Sequence, residues 1–189
     1  MKQIDIITKL KKILPNTKFE HTLRVKETAE KLAKIYNCDC GKVSVAALLH
    51  DCARGFDCEQ SLKMCEEYNI ELDDITKKRY QLIHAPLGAT IAKVEFGIED
   101  IEILDAIYYH TTGKSNMSLL EKIIWLADYI EPNRDFHRIE EIRDLAFIDI
   151  NKAMLIAFEE SIKYVRANNK QLHPNTLLAR DSILKQIEE

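Results

Sequence analysis

The sequence predicts an all-α protein, a bundle of about eight to ten helices with no significant sheet. Apolar residues recur at intervals of three and four along nearly the whole chain, which is the periodicity of amphipathic helices. Only five glycines and four prolines interrupt this pattern. Alternating β-branched runs, which are typical of strands, are nearly absent.

The first half of the chain predicts five helices. The first is expected to end near Pro15, and the second carries an apolar stripe that includes Val25 and Leu32. A short, nearly all-apolar helix follows over residues 43–49. Two further helices are expected over 59–68 and 86–96, the latter with a proline in its first turn.

The second half predicts four or five helices. One is expected over 99–109 and one over 117–130, where Pro132 ends it. Residues 139–167 carry one long helix or two shorter ones, and the last helix starts after Pro174. The 189 residues contain no internal repeat and no linker rich in Gly or Ser, so we expect one domain over 1–189.

Composition excludes several classes of protein. The net charge of −4 argues against a nucleic-acid partner, since duplex binders usually carry a basic surface. The longest apolar runs, such as Val45–Leu49, are far shorter than the roughly 20 residues of a membrane span. The first residues show no secretion signal, and the five cysteines form no Cys-x-x-Cys pair. We therefore expect a reduced, cytoplasmic protein without a membrane partner; the oligomeric state stays open, with a homodimer as one alternative.

Two histidines and two carboxylates lie on the apolar faces of predicted helices or directly after an apolar run. His21 lies one turn before Val25 and continues its inward stripe. His50 and Asp51 end the apolar run 46–49. Asp128 continues the stripe of 120 and 124, and a carboxylate on a buried face must be paired, hydrogen-bonded or metal-bound. A salt bridge to a distant Arg or Lys is the alternative for Asp128.

Two further histidines stand at helix ends. His84 precedes a proline at a helix entrance, and His110 ends an apolar helix before the turn Thr111–Gly113. Four imidazoles and two carboxylates indicate a metal site for Fe, Mn, Co or Zn rather than for calcium. His137 and His173, which lie in polar surroundings, are interpreted as exposed or substrate-side.

The order of these residues along the chain resembles the motif of a known family. His21, then His50-Asp51, then Asp128 in a helical chain resembles the H…HD…D motif of the HD-domain metal phosphohydrolase superfamily. His84 and His110 match the two extra histidines of its two-metal subgroup.

Longer segments over 49–54, 83–89, 106–113 and 119–134 resemble the bacterial YqeK family, and the resemblance runs from about residue 18 to 175. That family contains hydrolases that cut diadenosine tetraphosphate symmetrically into two ADP. The resemblance implies a metal-binding core at about 18–135, which C-terminal helices at 139–189 complete as a bundle.

The resemblance also implies roles for the ligands. His21, His50, Asp51 and Asp128 would hold a divalent metal, which we expect to be iron, with Mn, Co or Zn as alternatives. A second ion would take His84 and His110, with Asp51 as a bridge. With one ion, those two histidines would act as phosphate donors or as a general acid for the leaving ADP. The implied catalytic set is His50, Asp51, His84 and His110.

Cations near these motifs are candidates for holding a polyphosphate. Lys18 and Arg24 lie one turn on either side of His21, and Arg134 follows the Asp128 helix; Lys114 and Arg138 are further candidates. A solvated surface cation is the alternative for each. His173, in the polar turn 168–174, is a candidate contact to a nucleobase or ribose. The expected substrate-binding set is Lys18, His21, His84, His110, Thr111, Arg134 and His173.

Three competing functions stay open. A nucleotidase or a guanosine-tetraphosphate hydrolase would use the same H…HD…D core. A di-iron oxygenase of the HD type would need iron and dioxygen and release no phosphate. A non-enzymatic binding module is expected to lose ligands, whereas this chain has all six candidate positions.

Overall fold

A computed structural model describes residues 2–189, and in this range the chain forms eleven α-helices, one short 3-10 helix and no strand. The prediction of an all-α fold is therefore confirmed. The helices are α1 Gln3–Ile13, α2 Asn16–Ile35, α3 Cys40–Leu49, α4 Cys58–Glu67, α5 Asp74–Lys78, α6 His84–Phe96, α7 Ile101–Tyr109, α8 Leu119–Ile130, α9 Ile139–Ala146, α10 Ile150–Ala167 and α11 Pro174–Glu188.

The eleven α-helices of the described residues exceed the predicted eight to ten because of α5, and of the two alternatives predicted for 139–167 the pair of helices is the one that forms. Helix α5 has only five residues, too few for an apolar period, and is set by Asp73, whose carboxylate accepts the amides of Ile75 and Thr76. The segment 139–167 forms two helices, because Asp149 caps a new start by accepting the amides of Asn151 and Lys152.

Polar caps also move several predicted boundaries. Asp39 caps α3, so that helix begins at Cys40 rather than near Val43. Asp100 and Ser118 cap α7 and α8, which start two residues later than predicted. Helix α6 begins at His84, two residues before Pro86, which therefore occupies the first turn as expected.

The packing gathers five helices around one point of the core. Helix α2 packs on α3 and α8, while α7 packs on α3, α6 and α8. Helix α8 is buried over most of its surface; α9 and α10 pack on its other side, and α11 packs on α10. The candidate ligands lie where α2, α3, α6, α7 and α8 meet, at the ends of these helices or on their inward faces. Among the described residues, no helix has the length and apolar character needed to cross a membrane.

Candidate metal centre

The six predicted ligands lie together in the interior. Helix α2 supplies His21, the end of α3 supplies His50 and Asp51, the start of α6 supplies His84, the end of α7 supplies His110, and α8 supplies Asp128. The first five are buried, and Asp128 is half-buried. The sequence pattern therefore found every member of this cluster.

Asp51 lies at the centre of the cluster. Its Oδ1 is 3.1 Å from Nε2 of His84 and 3.5 Å from Nε2 of His110. Its Oδ2 is 3.8 Å from Nε2 of His21 and 3.9 Å from Nε2 of His50. One carboxylate thus faces two pairs of imidazoles, one pair with each oxygen.

Three of the imidazoles are oriented by backbone carbonyls three residues upstream. Nδ1 of His50 lies 2.7 Å from O of Ala47, and Nδ1 of His110 lies 2.7 Å from O of Ile107. These histidines follow the last residues of α3 and α7, where helix carbonyls lack intrahelical partners. Nδ1 of His84 lies 2.6 Å from O of Gln81. Because a carbonyl only accepts, Nδ1 carries the proton in each ring and Nε2 presents a lone pair to the cluster.

His21 is oriented by a residue to which sequence analysis gave no role. Its Nδ1 lies 3.3 Å from Oε1 of Glu131, whose Oε2 accepts a hydrogen bond of 2.6 Å from Nε of Arg24. Glu131 is buried and lies 110 positions from His21 along the chain. The sequence did offer one indication of this role: Glu131 follows directly after a strongly apolar helix. Carboxylates of this kind fix the ring orientation of metal-binding histidines.

The donor set fits cations. Nε2 of His84 and Nε2 of His110 are 2.9 Å apart, and Oδ1 of Asp51 is close to both. Three lone-pair groups at such distances repel one another unless a cation or proton lies between them. Nε2 of His50 is also buried, with no hydrogen-bond partner among the described residues. Three ligand triads have all their atoms within 4.8 Å: His21, His50, Asp51; His50, His110, Asp128; and Asp51, His84, His110.

Burial and the charges inside the cluster together set the protonation states of its members. Burial lowers the pKa of both His50 and His84 to about 4, so both rings are neutral at pH 7. Burial opposes ionisation of Asp51, but the surrounding imidazoles outweigh it and hold its pKa well below the usual range. Neutral imidazoles around an ionised carboxylate are ligands for Fe, Mn, Co or Zn.

Asp128 contacts both a candidate ligand and an arginine, so it combines the two alternatives that the sequence offered for it, a metal site and a salt bridge. Its Oδ1 lies 3.0 Å from Nε2 of His21 and accepts a hydrogen bond of 2.6 Å from Nη2 of Arg134. Burial opposes ionisation of Asp128, but these two neighbours and His50 lower its pKa. Arg134, expected to bind substrate, therefore lies at the edge of the cluster with its side chain 40% exposed.

The other predicted cations fall into two groups. Lys18 lies half-buried on α2, one turn before His21. Lys114 instead pairs with Asp105 and Glu121, at 3.0 and 2.7 Å, and Arg138 pairs with Glu141, so both are committed within the protein. Arg24 is held by Glu131, as described above.

Arg54 is a cation that the sequence analysis quoted but did not assign. Its Nε lies 3.2 Å from Oδ1 of Asp51, and its side chain is half-buried. Arg54 thus contacts the cluster at Asp51, whereas Arg134 contacts it at Asp128. The turn after α3 places it three residues after Asp51.

His173 and Thr111 line a small cavity of about 50 Å³ together with Tyr108 and Asn175. His173 is the N-cap of α11, where its Nδ1 accepts the amide of Asn175 at 3.1 Å. Its Nε2 lies 3.3 Å from Oδ2 of Asp73. His137, by contrast, is exposed, as expected.

An all-helical domain with a buried histidine and aspartate cluster, in the order H…HD…D, defines a class of metal-dependent hydrolases. The chain belongs to the HD-domain family, whose model matches residues 19–133. The resemblance noted in the sequence is thereby confirmed.

Several proteins share this similarity over nearly their whole length. The chain is 42% identical to a protein of Halalkalibacterium halodurans over 90% of this chain and 91% of that one. It is 35% identical to a protein of Bacillus subtilis, over 94% and 95% of the two chains. Both are named "Bis(5'-nucleosyl)-tetraphosphatase, symmetrical".

A crystal structure from Clostridium acetobutylicum matches with a TM-score of 0.93, at 41% identity and 98% coverage of each chain. It is described as a predicted HD superfamily hydrolase involved in NAD metabolism.

Proposed function

We propose that the protein is a metal-dependent hydrolase that cleaves diadenosine tetraphosphate symmetrically into two ADP. The observation that carries this proposal is the cluster around Asp51, in a chain whose relatives of matching length are named symmetrical tetraphosphatases. Hydrolase chemistry on a phosphoanhydride needs an activated water and neutralised phosphate oxygens, which a bound divalent metal supplies.

We propose two ions rather than one, because each oxygen of Asp51 faces a different pair of imidazoles. One would take His21, His50, Oδ2 of Asp51 and Asp128, and the other would take Oδ1 of Asp51, His84 and His110. Iron is the proposed metal, and Mn, Co and Zn are alternatives that the same nitrogen and oxygen ligands accept.

The remaining charged groups position the polyphosphate. Symmetrical hydrolysis joins a water oxygen to one of the two middle phosphorus atoms and breaks the central P–O–P link, so that ADP leaves. Arg54 and Arg134 flank the cluster, and planar guanidinium groups can each hold two phosphate oxygens. Lys18 and Thr111 are proposed as further substrate contacts, on the His21 and His110 sides.

The proposed compartment is the cytoplasm, where the five free cysteines would stay reduced. A homodimer, and the lack of a nucleic-acid partner, stay predictions of the sequence. We propose that residues 1–189 act as one domain, because α9 and α10 pack on α8 and α11 packs on α10.

Product analysis tests the activity. The protein is incubated with diadenosine tetraphosphate and Fe(II), Mn(II) or Co(II), and the products are separated by ion-exchange chromatography. We expect ADP as the sole product, and no turnover in His50→Ala or Asp51→Ala. The exposed Asp181→Ala serves as the matched control and should retain activity. ATP plus AMP would contradict symmetrical cleavage, and no turnover with any metal would favour the nucleotidase and guanosine-tetraphosphate alternatives.

Metal analysis tests the number of ions. We expect two equivalents per chain in the unmodified protein and one in His84→Ala, which leaves the ligands His21, His50, Asp51 and Asp128 intact. One equivalent in both proteins would contradict the two-ion arrangement and would return His84 to the role of phosphate donor or general acid.

A further inference from the structure

A second, much larger cavity lies beside the metal cluster. It has a volume of about 680 Å³ and lies between the end of α8, the loop 131–138 and α10. Its lining includes Tyr129, Arg134, Phe136, Glu160 and Tyr164. Small-molecule sites typically have volumes of about 300–1,000 Å³ and mostly apolar walls.

We infer that this cavity binds one nucleoside of the substrate, with the base against the aromatic wall and Arg134 where the nucleoside joins the phosphates. The inference rests on the proposed function, because it assumes a nucleotide substrate at the metal cluster.

Aromatic side chains that pack on one another form one wall of the cavity, and part of their surface is exposed. The rings of Tyr129 and Phe136 meet edge to face with centroids 4.8 Å apart, and Tyr129 stacks on Trp125 at 5.3 Å with an interplanar angle of 9°. Tyr164 lines the same cavity and is 60% exposed, so part of its ring is accessible to a ligand. Every base has a flat π-face that can stack on such rings.

Arg134 connects the cavity to the reacting centre. It lines the cavity, and its Nη2 is 2.6 Å from Oδ1 of the candidate ligand Asp128. A ligand in the cavity is thus separated from the metal cluster by one guanidinium group, which suits the α-phosphate of a nucleotide. The other cavity near the cluster, beside Thr111 and His173, has only about 50 Å³ and is too small for a base.

Glu160 offers the cavity a hydrogen-bond acceptor for a nucleoside. Glu160 lies in the wall with its side chain 13% exposed and contacts His137 and Lys163 at 3.2 and 2.8 Å. Its carboxylate can accept hydrogen bonds from ribose hydroxyls or from the exocyclic amine of adenine. The nucleoside therefore belongs in the cavity and the phosphates on the Arg134 side.

Fluorescence titration provides a direct test. Trp125 is the only tryptophan of the chain and stacks on the cavity residue Tyr129, so its emission should respond to a bound base. The metal-loaded protein is titrated with ADP and, separately, with inorganic pyrophosphate. We expect Tyr164→Ala to weaken ADP binding roughly tenfold to hundredfold, while Tyr164→Phe keeps it and pyrophosphate binding stays unchanged.

Two controls separate a binding role from a structural one. Tyr80→Ala removes a tyrosine of similar exposure, 53%, that lines neither cavity, and should bind ADP normally. Phe136→Ala gives a second, independent truncation of the wall and should also weaken ADP binding. The melting temperature of each variant confirms that it is folded.

The outcomes distinguish the two proposals. ADP binding that stays normal in both Tyr164→Ala and Phe136→Ala would overturn the cavity proposal, even if diadenosine tetraphosphate is cleaved into ADP. A protein that fails to cleave this substrate, yet loses ADP affinity in both variants, would support the cavity and contradict the proposed function. Weaker binding of pyrophosphate in Tyr164→Ala, equal to that of ADP, would also overturn the nucleoside assignment.

Discussion

The carboxylate of Glu131 lies 3.3 Å from Nδ1 of His21 and so does for this imidazole what backbone carbonyls do for the other three cluster histidines. The same carboxylate is held by Arg24 and by the amide of Asn133. Burial opposes its ionisation, but these donors and His21 lower its pKa, so it stays charged. His21 is therefore presented to the cluster by an ionised acceptor that strengthens its Nε2 as a ligand.

Removal of this carboxylate should weaken metal binding without removing a ligand. In Glu131→Ala we expect metal affinity to fall about 10- to 100-fold, because His21 loses its orienting partner. Competition with a chelator of known affinity measures the change. Glu102→Ala removes an exposed glutamate that pairs with Lys42, far from the cluster, and serves as the control. Unchanged metal affinity in Glu131→Ala would show that the cluster orients His21 unaided.

The local pattern of the sequence predicted the candidate ligands but not the residues that orient them. His50 and Asp51 follow an apolar run, and Asp128 lies on an apolar stripe, so one-dimensional spacing reveals them. Glu131 lies more than a hundred positions from both His21 and Arg24, and only the packing of α2 on α8 brings it to them. Spacing within a helix carries no information about such contacts.

Arg134 should matter for substrate rather than for metal. Its guanidinium contacts Asp128 and stays partly exposed towards the proposed nucleoside cavity. We expect Arg134→Ala to lower kcat/KM. The loss should correspond to about 1.5–3 kcal/mol of transition-state stabilisation, the range of a charge-assisted hydrogen bond. Arg134→Lys should recover part of the loss, and Arg166→Ala, an exposed arginine on α10, should cause none. A loss below tenfold would identify Arg134 as a surface charge that only pairs with Asp128.

His173 can be tested for two separable roles. It was predicted to contact the substrate, and it also caps α11 through the amide of Asn175. His173→Ala should lower the free energy of unfolding by about 0.5–2 kcal/mol, while His173→Asn should restore it, because Asn is a good N-cap. Both variants should raise KM if the imidazole contacts the nucleotide. A KM that stays unchanged in both would limit His173 to the cap.

Asp73 should make the stability of the α5 region depend on pH. Burial raises its pKa, but the hydroxyl and amide of Thr76, together with His173, outweigh this and lower it. The ionised cap therefore stabilises the fold above the ordinary pKa of 3.8, and this contribution is lost as the pH falls below it.

Denaturant unfolding at several pH values measures this contribution. Asp73→Ala should lower the free energy of unfolding by about 0.5–2 kcal/mol at pH 7, the range of a lost N-cap. The difference from the unmodified protein should shrink as the pH falls below 4. A difference that does not change between pH 7 and pH 3 would contradict this assignment.

Gly113 should be the more costly of two glycines to replace, although both have the same backbone angle. Gly97 and Gly113 each have φ +67°, where a side chain is strained by about 1–2 kcal/mol. A Cβ at Gly97 would meet no described atom within 4 Å, whereas one at Gly113 would lie 2.8 Å from Cβ of Ala179 and 2.9 Å from Cζ of Phe158.

Gly97→Ala should therefore show the backbone strain alone, and Gly113→Ala should lose about 1–3 kcal/mol more because it overpacks the core. Urea unfolding gives both values. Gly113 also follows His110 by three residues, and its amide donates to O of Tyr109 at 2.8 Å. The core must move to admit the new methyl group, so metal affinity at His84 and His110 should fall in Gly113→Ala and not in Gly97→Ala. Equal losses of stability in the two variants would mean that α10 and α11 yield freely, and that this turn does not fix the position of His110.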